Sequence, residues 1–217
     1  MMTILWMIRH GETAWNAEGR VQGQTDVALS EVGAAQAEAI ARTLAPSPAA
    51  GAPESFAAVY SSDLRRASET ASPCARALGL AVRLEPRLRE RHYGLFETLT
   101  YAEAKVLYPE DYARFKAKEP DYDFRSGESL RAFHERALQC IAEIAARHAG
   151  SPVLVFTHGG VLDSVYRHAT GRELSARRDF PVPNAALNLI EITAGEWRVL
   201  EWADCAHLQV ALDDLPD

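Results

Sequence analysis

The sequence has little cysteine: its 217 residues include only Cys74, Cys140 and Cys205, with no C-x-x-C pair. So sparse and odd a set is typical of buried free thiols in a reducing compartment, and we expect a cytoplasmic protein. The chain also lacks any run of about 18 apolar residues, the length that a membrane helix needs. Too few apolar residues precede Arg9 for an ordinary signal peptide, so we expect none.

The chain is also short of positive charge. Its 23 lysines and arginines stand against 30 acidic residues, which gives a net charge of −7. This balance argues against a general affinity for nucleic acid or for an acidic membrane surface. If the ligand is an anion, the positive charge that binds it must be concentrated at one place.

Short apolar runs alternate with helical patterns along the chain. Strands are predicted at 3–8, 56–60, 81–84 and 152–157, the first and the last of them buried, followed by a hairpin at 187–202. Long helices are predicted between the strands, and a loop rich in proline and alanine at 45–53. This alternation is typical of an α/β fold in which helices cover both faces of a mainly parallel sheet.

No repeat and no linker divides the chain into two parts. Hydrophobic residues make up 47% of it and charged residues 24%, which is ordinary for a globular protein. We therefore expect one domain over residues 1–217, with a variable helical insertion at about 98–126. This insertion is also the segment that we expect to select the substrate.

Three groups of polar residues follow strands of the predicted sheet. Arg9, His10 and Gly11 follow the first strand, residues 61–66 follow the second, and His158 follows the strand at 152–157. In open α/β sheets, ligands bind beyond the carboxyl ends of the strands. A single histidine there is more often structural than catalytic. Two such histidines, each followed by glycine and accompanied by arginines, indicate a shared anion site.

These residue types suit a phosphoryl group. Glycine has no Cβ, so a backbone N–H such as that of Gly11 can approach an anion closely. The planar guanidinium of arginine matches phosphate oxygens, and two arginines could neutralise a dianion. Beside arginines an imidazolium is disfavoured, which leaves His10 neutral and nucleophilic. Glu90, in "LRERHYG", could protonate the departing alkoxide, and a bound phosphate would favour its acid form.

Two other kinds of site are weaker candidates. His10 and His158 lack the close histidine or carboxylate spacing of common zinc motifs, and neighbouring arginines would repel a cation. We therefore expect no metal. A serine nucleophile at Ser61 or Ser62 lacks the glycine-flanked elbow of the G-x-S-x-G type.

Four stretches together resemble the motifs of a known family. "RHGETAWNAEGRVQGQTDVALSEVGAAQA" is similar to the N-terminal signature of the histidine phosphatase superfamily, in its phosphoglycerate mutase branch. "SSDLRRASETA", "LRERHYG" and "VFTHGG" resemble the other three motifs of that family, in the same order. The resemblance covers residues 3–171. It implies a three-layer α/β sandwich, with a mixed sheet between helices, and an enzyme that forms a phosphohistidine.

The resemblance also implies roles for individual residues. His10 would be the residue that becomes phosphorylated, and Arg9, Arg66 and His158 would complete the phosphate pocket. Arg66 is preferred to Arg65 because the arginine of the second motif directly precedes an alanine.

Glu90 corresponds to the proton donor of the family. Positions that the family uses around the phosphate or its ester oxygen are matched here by Asn16, Gln22, Gly23 and Gly159. Two further residues are candidate substrate contacts because they follow Glu90 closely, namely His92 and Tyr93.

The family contains phosphatases and mutases, and the motifs point both ways. "ERHYG" resembles the mutases, which use 2,3-bisphosphoglycerate as a primer. Gln22 stands where glycolytic mutases usually carry threonine, and residues 98–125 lack the adjacent arginine pair that grips phosphoglycerate. We therefore expect a phosphomonoesterase that acts on a small phosphorylated metabolite without a cofactor, with a mutase as the alternative.

A non-catalytic protein that only binds phosphorylated ligands is a further hypothesis. Such a protein should have lost part of the set Arg9, His10, Arg66, Glu90 and His158, yet all five residues are present.

An exposed edge of the predicted sheet would also suit a homodimer.

Overall fold

A single sheet forms the centre of the structure. The computed structural model describes residues 2–45, 53 and 55–208. Among these residues, six strands form the sheet: β1 (Thr3–Arg9), β2 (Ala58–Ser61), β3 (Val82–Leu84), β4 (Val153–Thr157), β5 (Leu187–Thr193) and β6 (Glu196–Asp204). The loop that the sequence predicts at 45–53 lies largely outside the described residues.

The sheet is mixed and mostly parallel, as predicted. Its strand order is β3-β2-β4-β1-β5-β6, and the first four strands run parallel to one another. β5 pairs antiparallel with β1, and β6 pairs antiparallel with β5. Arg9 lies beside Thr157 and Ser61 lies beside Phe156, so the carboxyl ends of β1, β2 and β4 are neighbours.

Helices cover both faces of the sheet. The helices of the described residues are α1 (Ala14–Ala17), α2 (Glu31–Leu44), α3 (Arg65–Leu78), α4 (Tyr101–Leu107), α5 (Pro109–Lys116), α6 (Leu130–Arg147) and α7 (Gly159–Thr170). None of them is long and apolar enough to cross a membrane.

Two cores separate these helices from the sheet, because successive side chains of a strand point to opposite faces. Leu5 and Met7 of β1 pack with buried residues of α6 and α7, such as Ile141. Ile8 of β1 packs on the other face with residues of α2 and α3, such as Ile40. The structure therefore confirms the predicted three-layer sandwich.

The segment predicted as an insertion forms a small aromatic core together with residues that precede it. Pro109 is the first residue of α5 and separates it from α4, as the interruption of the helical pattern predicts. Phe96 and Phe124 are fully buried at the centre of this core, with Tyr93, Tyr101 and Phe115 packed around them. We call this unit the aromatic insertion, and it presents Tyr93 and Tyr101 to the cavity described below.

Candidate active site

His10 lies directly after β1, and its ring has a defined orientation. The side chain is buried, and Nδ1 lies 2.7 Å from the carbonyl oxygen of Gly11. Because a carbonyl oxygen can only accept a hydrogen bond, Nδ1 carries the proton in this pair. The lone pair of the neutral ring therefore resides on Nε2, the atom that can act as a nucleophile.

The surroundings of His10 oppose protonation of its ring. Burial lowers the pKa of His10 well below its usual range, and the nearby cations Arg66 and Arg9 lower it further. Arg9 is itself almost fully buried and donates from Nη1 to the carbonyl oxygen of Val182 over 2.5 Å. His10 is therefore neutral near pH 7, as the sequence predicts from the arginines beside it.

Arg66 is held in place by the backbone of another loop. Its guanidinium donates to the carbonyl oxygens of Gly23 over 2.6 Å and of Thr25 over 2.9 Å. Burial lowers the pKa of Arg66 to about 10, so the side chain is still a cation at neutral pH. Within the described part of the chain, its buried Nε has no hydrogen-bond partner, which leaves this N–H for an anionic ligand.

His158 lies beside His10 at the end of β4. The two ring centroids are 5.1 Å apart, and the His158 side chain is completely buried. Its Nε2 lies 2.8 Å from Oγ of Ser62, which follows β2. Burial, followed by the charge of Arg66, lowers the pKa of His158 well below its usual range. Ser62, which the sequence does not favour as a nucleophile, therefore orients the ring of His158.

Glu90 reaches the same cavity from a loop after β3. One oxygen, Oε1, accepts the backbone N–H of Arg91 over 2.7 Å, and Oε2 accepts that of Gly160 over 2.9 Å. Gly160 lies in the first turn of α7, so this helix helps to hold the Glu90 side chain in place. A Cβ on Gly160 would lie 2.2 Å from Oε1, so only glycine allows this approach. No sequence motif predicts this role for Gly160.

Most of these side chains line one cavity of about 320 Å³. Of the residues predicted from the sequence, those that line it are Arg9, His10, Asn16, Gln22, Gly23, Arg66, Glu90 and Tyr93. Four predicted residues are not part of its lining, namely Gly11, His92, His158 and Gly159.

Gly11 contributes to the site through packing rather than through its N–H. That N–H donates to Oγ1 of Thr70 over 2.9 Å, so it does not point at a ligand in the cavity. A Cβ on Gly11 would lie 2.6 Å from the carbonyl oxygen of Gly33 in α2. The glycine is therefore needed because α2 passes close to the loop after β1. The prediction that the N–H of Gly11 approaches the bound anion is corrected, because this N–H binds Thr70 instead.

His92 is not part of the cavity lining. Its backbone N–H donates to Oε2 of Glu128 over 3.0 Å, and its half-buried ring lies 3.6 Å from Oε1 of Glu97. The neighbouring Tyr93 does line the cavity. Of the two predicted substrate contacts, only Tyr93 is placed to make one.

Asn16 and Gln22 bring amide groups to the cavity. Oδ1 of Asn16 accepts hydrogen bonds from the backbone N–H and the hydroxyl of Thr13, which caps α1. These bonds leave the amide NH₂ of Asn16 as a donor toward the cavity that it lines. Oε1 of the buried Gln22 has no hydrogen-bond partner among the described residues.

Arg136 of α6 fixes the loop that carries Glu90. Its guanidinium donates to the carbonyl oxygens of Arg87, Arg89 and Glu90 over 2.6, 3.1 and 3.3 Å. It also pairs with both carboxylate oxygens of Glu128, over 2.7 and 2.8 Å. No sequence motif identifies Arg136, because the carbonyl groups that it binds are far away along the chain.

A metal site has no support in this region. The described residues contain no group of three or more His, Cys, Asp or Glu side chains that could hold a metal ion. Arg9 and Arg66 line the cavity and would repel a cation there.

The fold and the cavity define a class of protein: an α/β enzyme with a neutral histidine and two arginines at the ends of parallel strands. The chain belongs to the histidine phosphatase superfamily (branch 1), whose family model matches residues 5–205. This confirms the family that the four motifs predict.

Individual relatives cover nearly the whole chain. It is 38% identical to phosphoglycerate mutase-like protein 4 of Arabidopsis thaliana, over 94% of this chain and 86% of that protein. It is 37% identical to a metal-independent phosphoserine phosphatase of Arabidopsis thaliana, over 95% and 84%. A mutant phosphoserine phosphatase of Entamoeba histolytica, solved in complex with phosphoserine, superposes with a TM-score of 0.82, 25% identity and coverage of 95% and 99%.

These relatives confirm that the protein is an enzyme and a phosphatase. The hypothesis of a non-catalytic binding protein is therefore wrong.

Proposed function

We propose that this enzyme hydrolyses phosphate monoesters of small metabolites through a phosphohistidine at His10. One observation carries the proposal: the unprotonated Nε2 of a neutral His10 shares a cavity with the guanidinium groups of Arg9 and Arg66. A neutral imidazole is a nucleophile, and two fixed cations stabilise the charge that a phosphoryl group carries during transfer.

In the first step, Nε2 of His10 attacks the phosphorus atom and the bond to the ester oxygen breaks. Glu90 supplies the proton that the departing oxygen needs, so the alcohol leaves neutral. Arg9 and Arg66 neutralise the three equatorial oxygens, and the phosphoryl group stays on His10.

In the second step, water attacks the phosphohistidine. Glu90, now a carboxylate, accepts a proton from that water, and the bond between phosphorus and Nε2 breaks. Inorganic phosphate leaves, and both His10 and Glu90 return to their starting protonation states. No metal and no organic cofactor takes part.

Several other predicted residues support the phosphate site in different ways. His158 contributes a neutral ring beside His10, held by Ser62. Asn16 and Gln22 offer amide groups from the cavity wall. Gly23 fixes Arg66 through its carbonyl oxygen. Gly159 is the first residue of α7, directly after His158.

A mutase remains the second candidate, and it alone would need 2,3-bisphosphoglycerate as a primer. The aromatic insertion argues against it, because its arginines pair locally. Arg125 donates to Asp111 over 2.7 Å and Arg114 to Glu119 over 2.8 Å, and neither arginine lines the cavity. They are therefore not placed to grip a second anionic group of a phosphoglycerate.

A paired assay distinguishes the two activities. We expect release of inorganic phosphate from phosphoserine and from 3-phosphoglycerate, undiminished by a metal chelator. In a parallel reaction with 3-phosphoglycerate and catalytic 2,3-bisphosphoglycerate, we expect little 2-phosphoglycerate. Rapid formation of 2-phosphoglycerate without release of phosphate would instead establish the mutase.

Substitution of Arg136 is expected to impair proton donation by Glu90 selectively. In Arg136→Met the loop that carries Glu90 loses three hydrogen bonds of the guanidinium, and Glu128 loses two, so Glu90 is less well placed. We expect kcat/KM to fall about tenfold for phosphoserine, whose alkoxide must be protonated as it leaves. The fall should be only about twofold for p-nitrophenyl phosphate, whose leaving group needs no proton.

Arg136→Lys provides the comparison, because it keeps the charge but cannot reproduce the forked geometry of the guanidinium. Its effect should be intermediate and equally selective. Equal losses on both esters, following a lowered melting temperature, would mean that Arg136 only stabilises the fold.

The cellular setting follows from the cysteines. Cys74 and Cys140 are buried free thiols, and burial raises the pKa of each to about 12, so neither is reactive. We propose a cytoplasmic enzyme on this basis.

β6 forms one edge of the sheet in the described structure, where a second copy could pair in a homodimer.

A further inference from the structure

Glu97 is not part of the lining of the cavity that contains His10, but it connects two loops that form this cavity. Only 14% of its side chain is exposed. One carboxylate oxygen, Oε1, accepts the backbone N–H of Tyr93 over 3.0 Å and that of Gln24 over 2.9 Å. The other, Oε2, accepts the hydroxyl of Thr25 over 3.1 Å. One carboxylate therefore joins segments that lie 72 or 73 residues apart in the sequence.

The first loop that Glu97 binds is the loop that holds Arg66. The carbonyl oxygens of Gly23 and Thr25 accept hydrogen bonds from the guanidinium of Arg66. Between these two residues, the N–H of Gln24 is bound by Glu97. Gly23 has a φ of +52°, and a Cβ there would lie 2.1 Å from Oε1 of Glu97, so this close approach requires glycine. The conformation of the loop, and with it the place of Arg66, therefore depends on Glu97.

The second loop that Glu97 binds is the loop that carries Glu90. Nε2 of Gln24 donates to the carbonyl oxygen of Glu90 over 3.2 Å, and the N–H of Gln24 is itself held by Glu97. Three residues beyond Glu90, the N–H of Tyr93 is also bound by Glu97. The proposed proton donor is thus held at two points, and both depend on where the Glu97 carboxylate lies.

The backbone directly after Glu97 is strained. Thr98 has a φ of +73°, a left-handed conformation that β-branched residues rarely adopt. Two backbone hydrogen bonds fix this segment: the N–H of Thr98 donates to the carbonyl oxygen of Val21 over 2.9 Å, and the N–H of Val21 to that of Leu99 over 2.8 Å. Such conformations persist only where the surroundings determine them, and they cluster at functional sites. The strain is a separate reason to assign a function to the position of Glu97.

The charge of Glu97 acts in the same direction as its hydrogen bonds. Burial lowers the pKa of Arg66, and nearby carboxylates, that of Glu97 among them, oppose this effect. The two contributions can be separated by substitution, because glutamine retains an acceptor oxygen but carries no charge.

We propose that Glu97 is a positioning residue that holds Arg66 and Glu90 in the arrangement that phosphoryl transfer needs. The inference rests on the proposed function, because its effects are on the phosphate that Arg66 binds and on the proton that Glu90 supplies. Arg136 binds the loop that carries Glu90, so its loss should affect proton donation alone. Loss of Glu97 should weaken phosphate binding and proton donation together.

Two measurements on Glu97→Ala monitor the two groups separately. The inhibition constant of inorganic phosphate reports on the phosphate site, and we expect it to rise about tenfold. The ratio of kcat/KM for phosphoserine to kcat/KM for p-nitrophenyl phosphate reports on proton donation, and this ratio should fall about fivefold. The kcat/KM for phosphoserine itself should fall about fiftyfold, because both losses contribute to it.

Two smaller changes each remove one connection. Gln24→Ala deletes the amide that binds Glu90, so the ratio should fall about threefold while the inhibition constant of phosphate is unchanged. Thr25→Val deletes only the hydroxyl that binds Glu97, so the inhibition constant should rise about threefold while the ratio is unchanged. Glu110→Ala replaces an exposed glutamate of α5 outside the cavity lining and is the matched control.

Glu97→Gln is the conservative variant. Its amide oxygen can accept both backbone N–H groups, and the hydroxyl of Thr25 can accept a hydrogen bond from its NH₂ group. Both measurements should therefore stay within about threefold of the wild-type values. A loss in Glu97→Gln as large as that in Glu97→Ala would overturn the assignment of the effect to these hydrogen bonds.

The other outcomes separate this inference from the function on which it rests. Equal losses on both esters in Glu97→Ala, with a lowered melting temperature and an unchanged inhibition constant of phosphate, would mean that Glu97 only stabilises the fold. If Glu97→Ala does not fold, Gln24→Ala and Thr25→Val decide, and wild-type values in both would overturn the inference. A wild-type enzyme that releases phosphate from neither ester would overturn the proposed function, and this inference with it.

Discussion

Replacement of His10 by alanine is expected to abolish phosphate release, lowering kcat/KM by about 10⁴-fold or more. The reason is that Nε2 of His10 is the only protein atom in the proposed mechanism that forms a bond to phosphorus. The arginines remain in the variant, so it should still bind inorganic phosphate. The measurement is steady-state hydrolysis of phosphoserine, together with trapping of an acid-labile phosphoenzyme after rapid mixing with labelled ester.

His168→Ala is the matched control, because His168 is an exposed histidine on α7 outside the cavity. It should retain full turnover and form the same phosphoenzyme. His10→Asn, which fills more of the buried space, guards against an effect of misfolding. If either His10 variant kept undiminished turnover or still trapped label, the phosphohistidine mechanism would be wrong.

Replacement of Glu90 by glutamine is expected to separate esters by their leaving groups. For phosphoserine, kcat/KM should fall by about 10²- to 10⁴-fold, because glutamine cannot protonate the departing alkoxide. For p-nitrophenyl phosphate, whose phenolate leaves unaided, the fall should stay within about tenfold. kcat/KM is the appropriate quantity, because it covers only the steps up to departure of the leaving group.

A subsequent step should also be affected in Glu90→Gln. Without a carboxylate to accept a proton from water, the phosphohistidine should accumulate, and p-nitrophenolate should appear in a burst followed by a slow steady state. Glu173→Gln, an exposed residue beyond α7, is the control and should leave both esters unaffected. A loss of the same size on both esters in Glu90→Gln would remove Glu90 from the role of proton donor.

The sheet could be predicted from the sequence because its inner strands are short apolar runs. Residues 153–157 are all buried, which matches an uninterrupted apolar run and a strand covered on both faces. β3 was predicted within one residue of its observed start although its side chains are largely exposed. The internal packing of the aromatic insertion was not predictable, because helical periodicity does not say which aromatic rings meet.

The parts of the site that lie at strand ends were also predictable. His10, Arg66 and Glu90 meet in one cavity because their strands are parallel and end at the same edge. Contacts that depend on a backbone atom from elsewhere in the chain could not be predicted. The N–H of Gly11 binds Thr70, and Arg136 binds carbonyls some 46 to 49 residues away, and neither pairing leaves a pattern in the sequence.

The pairing of β1 with β4 has a consequence for how activity arises during folding. Arg9 lies beside Thr157, so the two histidines become neighbours only when the first strand has joined one formed by residues far along the chain. Such long-range contacts form late and slowly compared with local ones. A partly folded chain therefore has no phosphate pocket, and the fraction of molecules that can be phosphorylated measures the fraction with a completed sheet.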